Sequence, residues 1–290
     1  MKPGGGIRLI AVDIDGTLLD SSGRLPPSHR DALGDAIRHG IRVALVTGRS
    51  FHFARPVVDE LALPVTLVVN NGAVVTNETG ETELRHLLDR HVARRLLEET
   101  RAFEDSVALV FDRAPGSDER QVVFERMDWT HPNRLRYYEK NRAFIAEAPG
   151  PLAAMLTEDP IQVMFNGSVA PMRRLVEALR SSRDASRFAV ALTEYEPRDF
   201  SLVDVNGAGC SKGAALARWA ALHGIAADGV LAAGDNLNDI EMLAYAGIPV
   251  VMANASQALR DRADPRWHWT ASNDEGGLAD AVRLFVLSDR

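Results

Sequence analysis

The chain has 290 residues, enough for one large domain or two of ordinary size. Its 33 Lys and Arg against 40 Asp and Glu leave a formal charge of -7, which argues against a broad nucleic-acid-binding face. One cysteine, Cys210, excludes an internal disulfide and a thiolate metal cluster, and no apolar run reaches the ~18–20 residues of a membrane span.

The opening segment has one lysine, then glycines, then an apolar stretch that runs straight into charge. It does not have the pattern of a secretory signal, and a reducing, cytoplasmic setting is expected. In chain order, residues 7–14 are expected as a first strand, because Leu9-Ile10-Ala11-Val12 is a short apolar run bounded by a polar turn. That turn carries Asp13, Asp15, Gly16 and Thr17. It puts two carboxylates at the strand's carboxyl end, where open α/β sheets bind ligands. Extended backbone would send both to one side, and like charges so close need a cation, a shared proton or water between them. A hard divalent cation is a natural choice.

A polar loop over 20–27 leads to a helix over 29–39, with Ser28 as its expected cap. Ala32, Leu33, Ala36 and Ile37 fall at helical spacing, and Gly40 is the stop. Residues 41–46 form a second apolar strand ending in Thr47-Gly48-Arg49. A helix near 50–60 precedes a third strand over 66–69, which ends in Asn70-Asn71-Gly72-Ala73. Strands that each end in a small polar cluster are what a parallel sheet with its site along one edge produces.

Residues 74–83 resemble a hairpin, and from about 84 the residue pattern changes. A charged amphipathic helix is expected over 84–101, then strands over 107–111 and 121–124, with a proline-glycine turn at 115–116 before the second. The segment around Tyr137 and Tyr138 receives no assignment. A strand over 161–165, a helix over 172–179 and two strands over 188–192 and 200–205, paired across 194–199, complete this α+β stretch. It lacks polar strand ends, and an inserted domain is expected. The pattern of the first 83 residues then returns: an Ala-rich helix over 212–223, a strand over 230–233 ending in Gly234-Asp235-Asn236-Leu237-Asn238-Asp239, a helix over 240–246, a strand over 249–252, a loop from Asn254 and a final helix over 276–286. Trp267 and Trp269 are expected to serve packing or an interface.

Four clusters thus fall on strand ends or a helix start: Asp13/Asp15/Thr17, Thr47/Gly48/Arg49, Lys212, and Asp235/Asn236/Asn238/Asp239. Phosphoryl transfer uses such groups. One carboxylate can attack phosphorus, and a second can protonate the leaving oxygen and later activate water. A hydroxyl, a lysine and backbone amides can stabilise the equatorial oxygens, while further oxygen ligands hold a divalent cation. The last cluster is too short for an EF-hand loop and lacks its terminal Glu.

In this order, DIDGTLLD, TGR, NNGA, SKG and GDNLNDIEML make the chain resemble the haloacid-dehalogenase-superfamily hydrolases over nearly its whole length. Within them it resembles the Cof-like sugar-phosphatase branch with an α/β cap. The resemblance implies an α/β fold: a Rossmann-like, mostly parallel core from 1–83 and 207–290, with an inserted α+β cap over 84–206 that lies over the site and selects the substrate. It implies Asp13 as nucleophile and Asp15 as general acid/base, with the Asp15 backbone carbonyl also offered to Mg2+. Asp235 would be a direct metal ligand beside Asp13. Thr47 and the Gly48 amide would bind the phosphoryl group, Lys212 would pair with the phosphate and Asp13, and Asn71 would line the mouth of the site. Asn238 and Asp239 would lie in or just outside the metal's coordination, orienting Lys212 or water, with Asn238 also near the phosphate. Asp at position 15 favours phosphoryl transfer over dehalogenation.

The implied activity is Mg2+-dependent hydrolysis of small phosphomonoesters, sugar or cofactor phosphates, through an aspartyl phosphate. The partner is a small molecule, with no nucleic acid and no membrane, and the protein is expected as a monomer or homodimer. Alternatives are a specialised mannosyl-3-phosphoglycerate or sucrose-phosphate phosphatase, a phosphomannomutase, or a binding module without activity. Arg113, Arg120, Arg126, Arg134, Arg136 and Arg142 could meet a second anionic group on a substrate, although each singly has the character of a solvated surface charge, as has His131. Two departures stand out: residues 204–210 contain no proline where relatives often have one, and Asn236 replaces a common glycine.

Overall fold

Leu9–Val12 (β1) is fully buried along its whole length, which is why it shows no polar alternation. The computed structural model describes residues 6–79, 81–113 and 121–288, so the proline-glycine turn at 115–116 and Arg120 lie outside the described residues. After β1 come α1 (Pro27–Arg38), β2 (Arg42–Val46), α2 (Phe51–Leu61), β3 (Thr66–Val69), β4 (Val74–Thr76) and β5 (Thr82–Arg85). Then follow α3 (Arg90–Glu99), β6 (Val107–Val110), β7 (Val122–Phe124), α4 (Pro132–Asn141), β8 (Ile145–Glu147), β9 (Gln162–Gly167), α5 (Val169–Arg180), β10 (Phe188–Tyr195) and β11 (Phe200–Gly207). The chain closes with α6 (Lys212–Leu222), β12 (Val230–Gly234), α7 (Ile240–Tyr245), β13 (Ile248–Val251), α8 (Gln257–Arg260), β14 (His268–Trp269) and α9 (Gly277–Val282).

The chain divides into two compact units, one of residues up to Arg85 and from Ser211 onward, the other His86–Cys210. The first holds a sheet in the order β14-β13-β12-β1-β2-β3-β4-β5, parallel from β14 to β3 and antiparallel at β3/β4 and β4/β5. Leu9, Ala11, Ala44, Val46 and Val68 on one face pack with Leu216, Trp219 and Ala220 of α6 and Met242 of α7. β1 is central, and its neighbours β12 and β2 bring the residues after Gly234 and Val46 to either side of Asp13.

The inserted unit carries a second sheet, β10-β11-β9-β6-β7-β8, antiparallel except at β7/β8. Alternate residues of its strands, among them Leu109, Val163, Phe165, Val203 and Val205, form an apolar core with Val92 and Leu96 of α3 and Leu175 and Leu179 of α5. β10 and β11 pair antiparallel, as expected. Among the described residues no helix is long and apolar enough to cross a membrane.

Several expectations need correction. The helix expected over 84–101 begins only at Arg90. Thr82–Arg85 pairs with β4, and Asp89 accepts from the N–H groups of His91 and Val92 and so starts the helix there. Ser28 does not cap α1: the cap position is Pro26, with no side-chain bond, and Pro27 stands inside the first turn. Tyr137 and Tyr138 lie in α4, whose first helical residue is Pro132. The strands Ile145–Glu147 and His268–Trp269 add to the expected set, being only two or three residues long. Arg134 is not a solvated arginine. It is 6% exposed, donating from Nε to Asn166 Oδ1 at 2.5 Å and from Nη2 to Ser106 Oγ at 2.8 Å, and burial lowers its pKa. It pins α4 to the strand β9. Arg113 and Arg126 pair with Glu158 and Glu104. Trp267 packs with Leu243, Val251, Ala255 and Leu259, whereas Trp269 on the edge strand is exposed with Arg260 over its ring.

Candidate active site

β1 delivers Asp13 into a place where only 5% of its surface meets solvent. Lys212 stands opposite, the first residue of α6. Ser211 caps that helix by accepting from the Ala214 N–H at 3.0 Å, which fixes where the lysine emerges. Its Nζ donates to Asp13 Oδ1 at 2.5 Å and to Asp239 Oδ1 at 2.6 Å, with all three side chains buried. The other oxygen of Asp239 accepts the N–H groups of Asp235 and Asn236, both at 3.0 Å. Both Asp239 oxygens are therefore engaged by the protein.

Asp13, Asp235 and Asp239 can each offer one carboxylate oxygen within 4.8 Å of the others. Three buried carboxylates stand around one buried ammonium. The electrostatics carry that imbalance. Burial raises Asp13 to about 7, with the Asp239 and Asp15 charges adding to the rise and Lys212 opposing it. Burial, then the charges of Asp13 and Asp239, push Asp235 well above the usual carboxylate range. Lys212 is desolvated too, yet its two carboxylates outweigh that and its pKa moves upward. An all-oxygen donor set with surplus negative charge fits a small divalent cation, and a cation there would let both carboxylates ionise.

Asp15 has a different partner. Its carboxylate takes a two-point contact from Arg49, Nε to Oδ2 at 2.7 Å and Nη2 to Oδ1 at 2.6 Å, and its side chain keeps 37% exposure. The two aspartates of the first strand end therefore do not share a single neutralising group. Asp13 meets Lys212, and Asp15 meets Arg49. Asp15 is not among the three clustered carboxylates. Sequence reasoning groups Arg49 with Thr47 and Gly48 but assigns it no task; the run TGR is the one signal that could have found it.

Gly16 makes the approach possible. Its φ is +86°, and a Cβ there would collide with the Asp235 carboxylate. Thr17, fully buried, donates from Oγ1 to Asp235 Oδ1 at 3.1 Å. Gly16→Ala is expected to destabilise the protein by roughly 1–3 kcal/mol, from left-handed strain and the displaced carboxylate. An unchanged midpoint in urea unfolding would show that the contact is not close.

At the end of β2, Thr47 is 1% exposed and its Oγ1 accepts the Arg49 N–H at 3.1 Å. Asn71, at the end of β3, donates its N–H to the Thr47 carbonyl at 3.0 Å, and its Oδ1 accepts from Asn238 Nδ2 at 2.9 Å. Gly48 lies against the same amides. Thr47, Gly48, Asn71 and Asn238 thus form one polar wall, while Asp13, Lys212, Asp235 and Asp239 form the buried centre. Asn236, the departure from a common glycine, caps the following turn with Oδ1 on the Leu237 N–H.

The sequence model of the haloacid dehalogenase-like hydrolases matches residues 10–282. The chain is 27% identical to the 5-amino-6-(5-phospho-D-ribitylamino)uracil phosphatase YcsE of Bacillus subtilis, covering 97% of this chain and 96% of that one. It is 29% identical to the pyridoxal phosphate phosphatase YbhA of Escherichia coli over 89% of this chain and 92% of that one. Among solved structures it resembles BT1666 of Bacteroides thetaiotaomicron, a phosphatase of the same superfamily, with a TM-score of 0.76, 25% identity and coverage of 97% and 95%.

Proposed function

The chain belongs to the haloacid dehalogenase-like hydrolases, Cof-like phosphatase branch, and from that premise we propose that it hydrolyses small phosphomonoesters through an aspartyl phosphate formed on Asp13. The observation that carries this reading is Lys212 bridging Asp13 and Asp239, with the Asp235 carboxylate beside them. Asp13 attacks phosphorus with a carboxylate oxygen, and Lys212 holds that carboxylate and offsets charge on the transferring group. The bond from phosphorus to the alcohol oxygen breaks, and Asp15 donates a proton to that oxygen. Asp15 then takes a proton from water, whose oxygen attacks phosphorus and breaks the bond to Asp13, releasing inorganic phosphate. Arg49 holds the Asp15 carboxylate in place by a two-point contact and gives up one of its oxygens when that oxygen carries the proton. Thr47, Gly48, Asn71 and Asn238 hold the phosphate oxygens and the mouth. Asp13 and Asp235, with the Asp15 carbonyl, would hold Mg2+, which when bound neutralises phosphate charge and orients the group for attack. The inserted unit serves as the cap that selects among sugar phosphates and cofactor phosphates. The name of YcsE carries a phosphorylated ribitylaminouracil and that of YbhA pyridoxal phosphate, which favours phosphates on ring-bearing metabolites of that kind.

A panel of metabolite phosphates, ranked by kcat/KM for release of inorganic phosphate, tests this. Pyridoxal phosphate and ribityl phosphates should lead, and the absence of release from any phosphomonoester would overturn the reading. The metal has its own test, independent of turnover. In the metal-free protein Asp13 keeps its proton up to about pH 7, whereas unfolded Asp releases it near 3.8. This group's contribution to stability is therefore full below pH ~4 and lost as pH rises through ~7. Mg2+ binds the ionised form and reverses that loss. Added Mg2+ should raise the melting temperature clearly at pH 8 and little at pH 5. Equal shifts at both pH values would remove the buried aspartates as the metal's site.

A further inference from the structure

Two asparagines with no part in the phosphatase chemistry hold the loop that carries Asp15 and Thr17. Asn254, just beyond β13, donates from Nδ2 to the Gly16 carbonyl at 2.8 Å. Its Oδ1 accepts the backbone N–H of Asn273 at 3.0 Å. Asn273, 3% exposed, donates from its own Nδ2 to the Leu19 carbonyl at 2.8 Å. The next residue continues the pattern, Asp274 Oδ1 accepting the Ser21 N–H at 2.7 Å. Asn273 itself is held by the turn it starts, in which Ser272 and Glu275 bond reciprocally.

The loop has reason to need this support. Gly16 is in the left-handed region and pressed against the Asp235 carboxylate, and Thr17 must reach that carboxylate from the next position. Within the loop, the N–H groups of Leu18 and Leu19 reach back to the carbonyls of Asp13 and Ile14 at 3.1 and 3.0 Å. The carbonyls of Gly16 and Leu19 take their donors from the far end of the chain. Ser256, two residues after Asn254, also donates its N–H to the Asp235 carbonyl at 2.9 Å. One short segment therefore grips both sides of the contact between the first loop and Asp235.

We propose that Asn254 and Asn273 are positioning residues: a relay of amides, Asn273 N–H to Asn254 to Gly16 and Asn273 Nδ2 to Leu19, that fixes the peptide planes of residues 16–19 and so the places of Asp15 and Thr17. The consequence for turnover rests on the phosphatase reading; the hold on the loop does not. An aspartate at either position keeps the shape and turns a donor into an acceptor that faces a carbonyl.

The test measures amide hydrogen exchange and steady-state kinetics of Asn254→Asp, Asn273→Asp and the double variant. Loss of one such bond is expected to speed exchange at Leu18 and Leu19 by about tenfold or more, with the amides of β1 unchanged. The kcat should fall by about tenfold with KM little altered, and the double variant should lose less than the sum of the two, because both act through one relay. Asn254→Ala, at a solvent-exposed position, supplies the same readings if the buried Asn273→Asp does not fold. Unchanged exchange at Leu18 and Leu19, or kcat within about twofold of the parent, or fully additive losses, would each overturn the proposal. Exchange is read whether or not the protein turns over. A parent with no activity on any phosphomonoester would therefore end the phosphatase reading while exchange still decided the loop.

Discussion

Asp13→Asn is expected to lower Mg2+-dependent phosphate release by at least ~1,000-fold while leaving the fold intact. The amide keeps the shape and an oxygen that accepts from Lys212, so the hydrogen bond now at 2.5 Å has a successor. What it lacks is a nucleophilic oxygen. Burial already penalises a charge at this position, as its rise to about 7 records, so removing the charge does not undermine the core. The measurement is phosphate release from p-nitrophenyl phosphate with a melting curve on the same preparation. Full activity in a folded Asp13→Asn protein would eliminate the aspartyl phosphate.

Lys212→Met should harm both stability and activity, and by different routes. The lysine is fully buried and is the ammonium that both Asp13 and Asp239 address. Taking one partner from a buried charge group costs about 3–5 kcal/mol, because the remaining carboxylates keep their desolvation without its compensation. The unfolding midpoint in urea should fall accordingly, and kcat by about 100-fold or more. Lys212→Arg should not restore activity, since a planar fork cannot reproduce two contacts of 2.5 and 2.6 Å converging on one nitrogen. In the double variant Lys212→Met/Asp239→Asn stability should partly recover, one uncompensated charge having gone, and activity should not. If Lys212→Met matched the parent in midpoint, the lysine would not be the partner on which the buried aspartates depend.

The parallel core was legible because its strands are short apolar runs that each stop in polar residues, a pattern set by burial on both faces and by a site at the carboxyl ends. The extent of the first inserted helix was not legible. Leu84, Leu87 and Leu88 continue its apolar spacing, yet Leu84 pairs with Val75 in the sheet, and Asp89 offers the cap that starts the helix. Edge strands of two or three residues carry too little pattern to be seen beforehand. Arg134 looks like any surface arginine until Asn166 and Ser106 close around it.

By itself the sequence determined the chemistry at hand: two aspartates after the first strand, a lysine at a helix start, and an acidic turn after a later strand, in the order of one hydrolase family. Only the tertiary structure decided which charge meets which. Asp13 pairs with a lysine 199 residues away, and Asp15 with an arginine 34 residues away. Local spacing governs the side on which a carboxylate emerges, because backbone geometry is local. The partner depends on which helix starts and strand ends the sheet order brings together, and that order is set by packing across the whole core.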